Sequence, residues 1–334
     1  MVSIKDVSEA CGVSISTVSK ALNDHKDVSA AKKEMIRRVA KEMGYSPNSS
    51  ARALKTNRSK NLGVLFVDGA RSGLTHEFFS GVLDSFKVTV EDYGYDITFI
   101  MNGKYDNMTY LEHCRFRGFD GVMIACVDFD EPEVQELLAS DIPLVTVDYT
   151  YNNTICILSD NVKGMKQLTQ YAIDQGHKKI AYVYGEKSAV TSSRLSGYFI
   201  TLEANGIRVP DEYVVETKYR STKEAEKVTN QLLDLPDPPT CILYCDDLAC
   251  FGGLNAIHAR GLRVPEDISV AGFDGLHLAR RIKPQITTIK QNSREIGRQA
   301  GEQLVSLIEH PRTTVIDKIM VGTELVEGET IAKI

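Results

Sequence analysis

Several absences narrow the function of this sequence before anything present in it does. The longest apolar runs, such as Leu62 to Val67 and Val122 to Val127, fall far short of the roughly 20 residues that cross a bilayer, and no apolar signal-peptide core follows the N-terminus. The expectation is a cytoplasmic protein with no membrane partner. The seven cysteines, Cys11, Cys114, Cys126, Cys156, Cys241, Cys245 and Cys250, are odd in number and show no paired Cys-x-x-Cys spacing. That pattern predicts buried, reduced thiols with neither a disulfide frame nor a metal site. Also missing are a GxxxxGK phosphate loop, a GxGxxG turn opening a helix after a strand, HExxH and GxSxG. The usual nucleotide, zinc-protease and hydrolase signatures therefore fail, and no catalytic residue is assigned.

What is present begins with an ordinary globular composition, 43% hydrophobic and 25% charged over 334 residues, which is long enough for two or three cored units. The net charge of -6 conceals an asymmetry. Residues 1 to 60 hold twelve Lys and Arg against six Asp and Glu, which is +6, leaving 27 against 39, or -12, for the remainder. A basic head on an acidic body makes nucleic acid the natural partner of the head, although a merely solvated basic helix has the same charge.

In the head, Ile4, Val7 and Ala10 are read as one buried face of a short helix, broken at Gly12. Ser14 is a plausible N-cap for a second helix, Ile15 to Leu22, with Val18 and Leu22 inward and Ser16, Thr17, Ser19 and Lys20 outside. A third helix follows Val28 and Ser29, carries Ile36, Val39, Ala40 and Met43 on one stripe and ends at Gly44. Two short helices around a glycine turn, supported by a third, make a helix-turn-helix. The N-terminal end of the second helix enters the major groove in this motif, so Ser16, Thr17 and Lys20 can reach base edges or phosphates, with Ser14 and Asn23 on its flanks. Lys20 serves equally as a phosphate contact, and Thr17 as packing against the turn.

Residues 47 to 61 read as a linker with one potential helical turn around Leu54. An isolated turn is unstable in water and forms only against a partner or surface. Leu54 between Arg52 and Lys55 suits a minor-groove wedge held by cations on phosphates, and it is equally an incidental leucine in a flexible linker.

After Asn61, β-rich runs alternate with amphipathic stretches: Leu62 to Val67, Asp96 to Met101, Gly121 to Cys126, Leu144 to Val147, Lys179 to Tyr184, Thr240 to Tyr244 and Ile268 to Phe273. This predicts an α/β core of parallel sheets with helices on both faces, and its length favours two doubly wound sheets facing across a cleft. Ligands bind such sheets at the carboxyl ends of the strands. Asp148, Asp246, Asp247 and Asp274 stand at those ends. Clustered carboxylates can bind a metal, act as acid and base, or accept hydrogen bonds from ligand hydroxyls, and each is also a candidate helix cap or turn former. Arg194 can neutralise them and donate a fork of hydrogen bonds, while Phe79 and Tyr219 offer aromatic faces for a ring.

These residues match a known pattern. Ile4-Lys5-Asp6-Val7, Ala10 to Ser14, Thr17-Val18-Ser19-Lys20, Leu22-Asn23, Gly44-Tyr45-Ser46-Pro47-Asn48 and Ala51-Arg52-Ala53-Leu54 are joined by Asp120-Gly121, Gly176-His177 and Arg194 with Gly197-Tyr198. Val264-Pro265-Glu266-Asp267, Gly272-Phe273-Asp274 and Thr287-Thr288 complete the set. Over essentially its whole length the chain resembles the LacI/GalR family of bacterial repressors.

The resemblance implies a helix-turn-helix domain at 1–46, a hinge at 47–61 and a periplasmic-binding-protein-like core at 62–334. The core would have an N-subdomain of about 62–160 plus 292–320 and a C-subdomain of about 161–291 plus the C-terminal end. It implies a homodimer on a pseudo-palindromic operator, with Leu54 wedged into the minor groove, and a small-molecule effector rather than a cofactor. Phe79, Asp148, Arg194, Tyr219, Asp247 and Asp274 fall at effector positions, Arg194 and Asp274 gripping hydroxyls and the aromatics stacking on a ring. A sugar or sugar derivative is the expected effector; a nucleobase, or a protein co-regulator, is the alternative, and a metal-dependent α/β enzyme or an exported solute receptor are further rivals.

Departures from the family pattern sharpen the expectation. Asp246-Asp247 replaces the usual Asn-Asp, with Cys250 where Ala is common, which makes the cleft more acidic and favours cationic or strongly hydroxylated ligands. Leu74-Thr75-His76-Glu77 replaces the common Asn-Pro, leaving His76 and Glu77 as either rim residues or ligand contacts. The sequence finishes at Ile334 without a heptad-bearing tail, so a dimer is expected rather than a tetramer.

Overall fold

The structure, a computed structural model, describes residues 2–46, 58–67, 73–101 and 108–334. The chain forms two units, Met1–Lys60 and Asn61–Ile334. Among the described residues no helix is long and apolar enough to cross a membrane.

The first unit is helical. α1 (Ile4–Cys11) starts in a capping box in which Ser3 and Asp6 satisfy each other's backbone N–H, and it stops at Gly12, whose φ of 62° is a left-handed cap. α2 (Ile15–Leu22) is capped by the Ser14 hydroxyl, which accepts the Thr17 N–H at 3.1 Å. α3 (Ala30–Glu42) closes the motif, and Val7, Val18, Ala21, Val28, Ile36 and Ala40 fill its small core. One detail differs from the sequence reading: Ala10 is exposed and Ser8 is buried, its hydroxyl donating to the Lys5 carbonyl at 2.9 Å. Six residues turn a helix by about 240° beyond a full revolution, so Ala10 cannot share the face of Ile4.

In the second unit, β1 (Asn61–Phe66), β2 (Asp96–Phe99), β3 (Gly121–Ala125), β4 (Leu144–Val147) and β5 (Ile155–Ser159) form a parallel sheet completed by β11 (Lys318–Val321), in the order β11-β5-β4-β3-β1-β2. A second sheet runs β12-β10-β9-β8-β6-β7. It is built from β6 (Ile180–Tyr184), β7 (Val214–Glu216), β8 (Cys241–Tyr244), β9 (Ser269–Asp274), β10 (Thr287–Lys290) and β12 (Glu324–Val326), and only β12 is antiparallel to its neighbour. Register is set by pairs such as Leu62 with Gly121, Val122 with Leu144, Ile180 with Cys241 and Ala271 with Thr287.

Helices cover both faces of each sheet, so the strands are apolar on both sides. On the first sheet Leu62, Val64, Met123, Val145 and Val147 point into one core, and Leu65, Val122, Ile124 and Leu144 into the other. Each fully buried Val, Ile or Leu contributes roughly 1.5–3 kcal/mol.

Three further helices position the site: α4 (Glu77–Asp92), α7 (Asn161–Asp174) and α8 (Ala189–Ala204), counting α5 (Tyr110–Arg117) and α6 (Pro132–Leu138) between the first two. Gly197 lets α8 lie directly on α7, because a Cβ there would come within 2.6 Å of the Val162 carbonyl. The chain passes from one sheet to the other at Ser159–Asn161, returns at Gln291–Ser293, and passes again between β11 and β12.

Candidate functional site

The strands end at the carboxyl side of both sheets in a set of polar residues, several on strained backbone. Cys126 after β3, Asp148 after β4, Arg220 after β7 and Asp274 closing β9 all have positive φ, at 55°, 58°, 60° and 106°. Such conformations are unfavourable for residues with a Cβ and tend to concentrate where geometry serves a ligand.

Arg194, on the first turns of α8, is the hub. It is 3% exposed. Its Nε donates to Asn161 Oδ1 at 2.8 Å, its Nη1 to the Cys245 carbonyl at 2.5 Å, and its Nη2 stands 3.8 Å from Asp274 Oδ1. The guanidinium lies 3.6 Å from the centroid of the Phe273 ring, so it is held flat by stacking as well as by hydrogen bonds. Asp274 Oδ1 also accepts from Gln291 Nε2 at 2.7 Å. Burial pushes the Asp274 carboxyl up to about 7, against the opposing pull of Arg194. Asp148 accepts the Ser159 N–H at 3.2 Å; burial raises its carboxyl too, again against Ser159 and Arg194.

The adjacent acids Asp246 and Asp247 have separate tasks. Asp246 caps α10 (Asp247–Ala259), which follows α9 (Thr222–Leu233), by accepting the Ala249 N–H at 2.7 Å; its other oxygen takes the Arg220 N–H at 2.7 Å. Asp247 is fully enclosed. Thr288 donates to one oxygen at 2.6 Å and the Leu276 N–H to the other at 2.7 Å, and Gly272 makes room for it, since a Cβ there would lie 2.2 Å from Asp247 Oδ1. Both Asp247 oxygens are thus engaged by the protein. Burial and the nearby Asp274 charge hold its carboxyl well above the usual range.

Tyr219 is half-buried, with its hydroxyl 2.8 Å from Thr191 Oγ1 and its N–H donated to Glu186 at 2.8 Å; Gly185 leaves the space its ring occupies. Phe79, on α4, is half-buried and packs edge-on to Phe66, His76 and Phe78. Glu77 Oε1 accepts the His277 N–H at 2.7 Å, tying α4 of one sheet layer to the segment after β9 of the other. The structure therefore groups Arg194, Asp274, Asp148 and Tyr219, with Asp247 buried near Asp274 and bonded through both its oxygens to Thr288 and Leu276. Sequence reasoning passed over Asn161, Ser159 and Gln291, which bind these groups. Among the described residues no cluster of three or more His, Cys, Asp or Glu is placed to hold a metal ion.

On the head, Ser16 is exposed and Thr17 half-buried, with its hydroxyl 2.8 Å from that of Ser14. Lys20 Nζ is 2.6 Å from Asp27 Oδ2, and Asn23 donates to the Ser19 carbonyl at 2.8 Å. The three hinge candidates Arg52, Leu54 and Lys55 lie outside the described residues.

Comparison with known proteins agrees with the fold. Residues 3–48 match the model of bacterial regulatory proteins, lacI family, and residues 169–331 that of a periplasmic binding protein-like domain. The chain is 32% identical to the probable HTH-type transcriptional repressor ExuR of Bacillus subtilis (strain 168), over 100% of this chain and 99% of that protein. It is 30% identical to the HTH-type transcriptional repressor PurR of Mannheimia succiniciproducens, over the full length of both. Among solved structures it resembles the Lac repressor dimer bound to operator and the anti-inducer ONPF, with a TM-score of 0.84, 26% identity and 99% of each chain covered. It also resembles the transcriptional regulator CelR in complex with cellobiose, with a TM-score of 0.72, 25% identity and 99% and 100% covered.

Proposed function

The chain belongs to the lacI family of bacterial regulatory proteins and is a DNA-binding transcriptional repressor of that family, and we propose that its effector is a neutral, polyhydroxylated molecule, a sugar or sugar derivative, gripped by Arg194 and Asp274. The observation that carries this reading is the composition of the strand ends. One guanidinium faces the carboxylates of Asp148 and Asp274, each of which has one oxygen not engaged by any described residue. Carboxylates accept hydrogen bonds from sugar hydroxyls, and a forked guanidinium donates to hydroxyl or ring oxygens. Phosphates and other anions would meet like charge there. Tyr219 and Phe79 supply the aromatic surface on which the apolar face of a ring rests.

In this reading the protein is a regulator and not an enzyme. It works as a homodimer on a pseudo-palindromic operator in the cytoplasm, with Ser14, Ser16, Thr17, Lys20 and Asn23 of the head, and Arg52, Leu54 and Lys55 of the hinge, as its DNA contacts. The domain limits are 1–46 for the head, 47–61 for the hinge and 62–334 for the core. The effector changes operator affinity because it favours one arrangement of the core over another.

A thermal-shift screen against neutral mono- and disaccharides, sugar phosphates, nucleobases and nucleosides tests the effector class. A ligand present at about 100 times its Kd stabilises the core by about 2.7 kcal/mol, which moves the melting temperature of a core of this size by roughly 5 °C. A neutral sugar that does so, and fails with Asp274→Ala, supports the reading. A response confined to nucleobases, or to none of the panel, overturns it.

A further inference from the structure

Five residues near the strand ends of the two sheets close a ring of contacts, the last of them through the Ser159 backbone carbonyl. Ser159 Oγ donates to Gln291 Oε1 at 2.5 Å, and Gln291 Nε2 donates to Asp274 Oδ1 at 2.7 Å. Asp274 faces Arg194 at 3.8 Å, Arg194 Nε donates to Asn161 Oδ1 at 2.8 Å, and Asn161 Nδ2 returns to the Ser159 carbonyl at 3.2 Å. Ser159, Asn161 and Arg194 are buried, and so is Gln291. The ring joins Arg194 and Asp274 to two of the passages between the sheets, since Ser159 and Asn161 flank the first and Gln291 begins the second.

Ser159 has a second attachment: its N–H donates to Asp148 Oδ1 at 3.2 Å. Asp148 directly follows a strand of the first sheet and Asp274 ends a strand of the second, so the carboxylates of the two sheets meet at one serine. Asp148 reaches it directly, and Asp274 through the Gln291 amide. An amide is rigid and planar, so a displacement of Nε2 by a moving Asp274 carries Oε1, and the Ser159 hydroxyl bonded to it, along with it. Both carboxylates also stand on positive-φ backbone, which suits an element with two discrete arrangements.

We propose that Ser159 and Gln291 are positioning residues that carry occupancy of the cleft to the inter-sheet passages. This rests on the reading of Arg194 and Asp274 as the effector grip. A bond of equal worth in both arrangements of the core shifts no equilibrium. If the Ser159–Gln291 link only glues buried polar groups together, its removal lowers stability and leaves DNA binding untouched. If it belongs to one arrangement, its removal changes operator affinity even in protein that has met no ligand.

The test uses the full-length protein without ligand and an operator duplex recovered from random DNA by in vitro selection with the wild type. Operator affinity is measured by fluorescence anisotropy for wild type, Ser159→Ala, Gln291→Met and the double variant, alongside each melting temperature. The expected result is a shift of tenfold or more in operator affinity, in the same direction for both single variants, with the double variant no further displaced than the larger single. Affinities within twofold of wild type in folded variants overturn the proposal, as do additive shifts or a shift in one single variant alone. Ser159→Ala removes one hydroxyl and decides the matter if Gln291→Met does not fold. Failure of every neutral sugar to stabilise the wild type would sink the effector reading alone, leaving a ligand-free shift of the ring variants standing.

Discussion

Arg194 and Asp274 face each other across 3.8 Å with only 4% and 11% of their side chains exposed, far enough apart that the pair is not a closed ion pair and close enough that a hydroxyl can bridge it. Arg194 makes its short hydrogen bonds elsewhere, to Asn161 and to the Cys245 carbonyl. The charge of Asp274 is therefore only partly answered within the protein.

Replacing Arg194 should be severe in two ways. Arg194→Ala leaves Asp148, Asp246 and Asp274 buried without their common cation, and breaking a buried charge arrangement costs about 3–5 kcal/mol. Arg194→Lys keeps the charge but loses the fork and the stacking on Phe273, so it should retain more of the melting temperature than Arg194→Ala while still losing effector binding. Thermal denaturation and ligand titration of the two variants separate these effects. Equal melting temperatures would contradict the role given to the charge.

The pH dependence follows from Asp274. Burial raises its carboxyl to about 7, above its unfolded value, with Arg194 and Gln291 opposing and Asp246 and Asp148 adding to the rise. The folded protein then holds a proton that the unfolded chain releases. The contribution of the protonated group is fully present below the unfolded pKa and is lost as pH rises through about 7. Asp274→Asn cannot ionise, so its melting temperature should gain on that of the wild type between pH 5 and pH 8. Effector affinity of the wild type should move the other way, weakening as pH falls from 8 to 6, because a protonated acid accepts hydroxyl hydrogen bonds less well. A pH-independent difference between the two proteins would remove Asp274 from this role.

How much of this was legible depends on whether a residue belongs to a pattern. Ser14 and Gly12 announce the head because caps and left-handed turns have few alternatives, whereas the Ser3–Asp6 capping box emerges only in the structure. β3 and β8 stand out as buried apolar runs. The strands β5, β7, β10, β11 and β12 are absent from the sequence reading; β7, β10, β11 and β12 are short and carry polar or charged residues such as Glu216, Thr287, Lys318 and Glu324, so their conformation comes from a neighbouring strand and not from an apolar run of their own. Asp246 and Asp247 are adjacent in sequence yet diverge at the first turn of α10, one capping it and one passing under Gly272. Nothing in the two letters separates them. Ser159, Asn161 and Gln291 have no periodic signature at all; only the passage of the chain between two sheets brings them together.

The thiols give an independent check on packing. Cys11 and Cys126 are partly exposed, whereas Cys114, Cys156, Cys241, Cys245 and Cys250 are buried, and burial alone pushes Cys114 up to about 12. A thiol-reactive dye at pH 8 should therefore label two cysteines quickly in native protein and the other five only on unfolding. Because Cys126 follows the carboxyl end of β3, where the proposed effector binds, a bound effector should slow its labelling and leave Cys11 unaffected. Fast reaction of Cys245 or Cys250 would mean that the packing beside Arg194 and Asp247 is more open than described.

On the head, Lys20 pairs with Asp27, and the Lys20 ammonium holds the Asp27 carboxyl below its ordinary value; in the proposed reading of Lys20 as a DNA contact, Asp27 competes with DNA for it. Asp27→Asn should raise affinity for operator and non-operator DNA alike. Lys20→Ala should weaken binding and reduce the slope of log affinity against log salt by about one. Unchanged salt slopes in both variants would move Lys20 off the phosphate backbone.

The account stands most directly on coupling between cleft and DNA. The measurement is operator affinity, by fluorescence anisotropy, with and without a saturating neutral sugar identified by the thermal-shift screen, for wild type and Asp274→Ala. The account predicts a change of tenfold or more in the wild type and none in the variant. An operator affinity that the bound sugar leaves unmoved, or one that it shifts equally in Asp274→Ala, would contradict it.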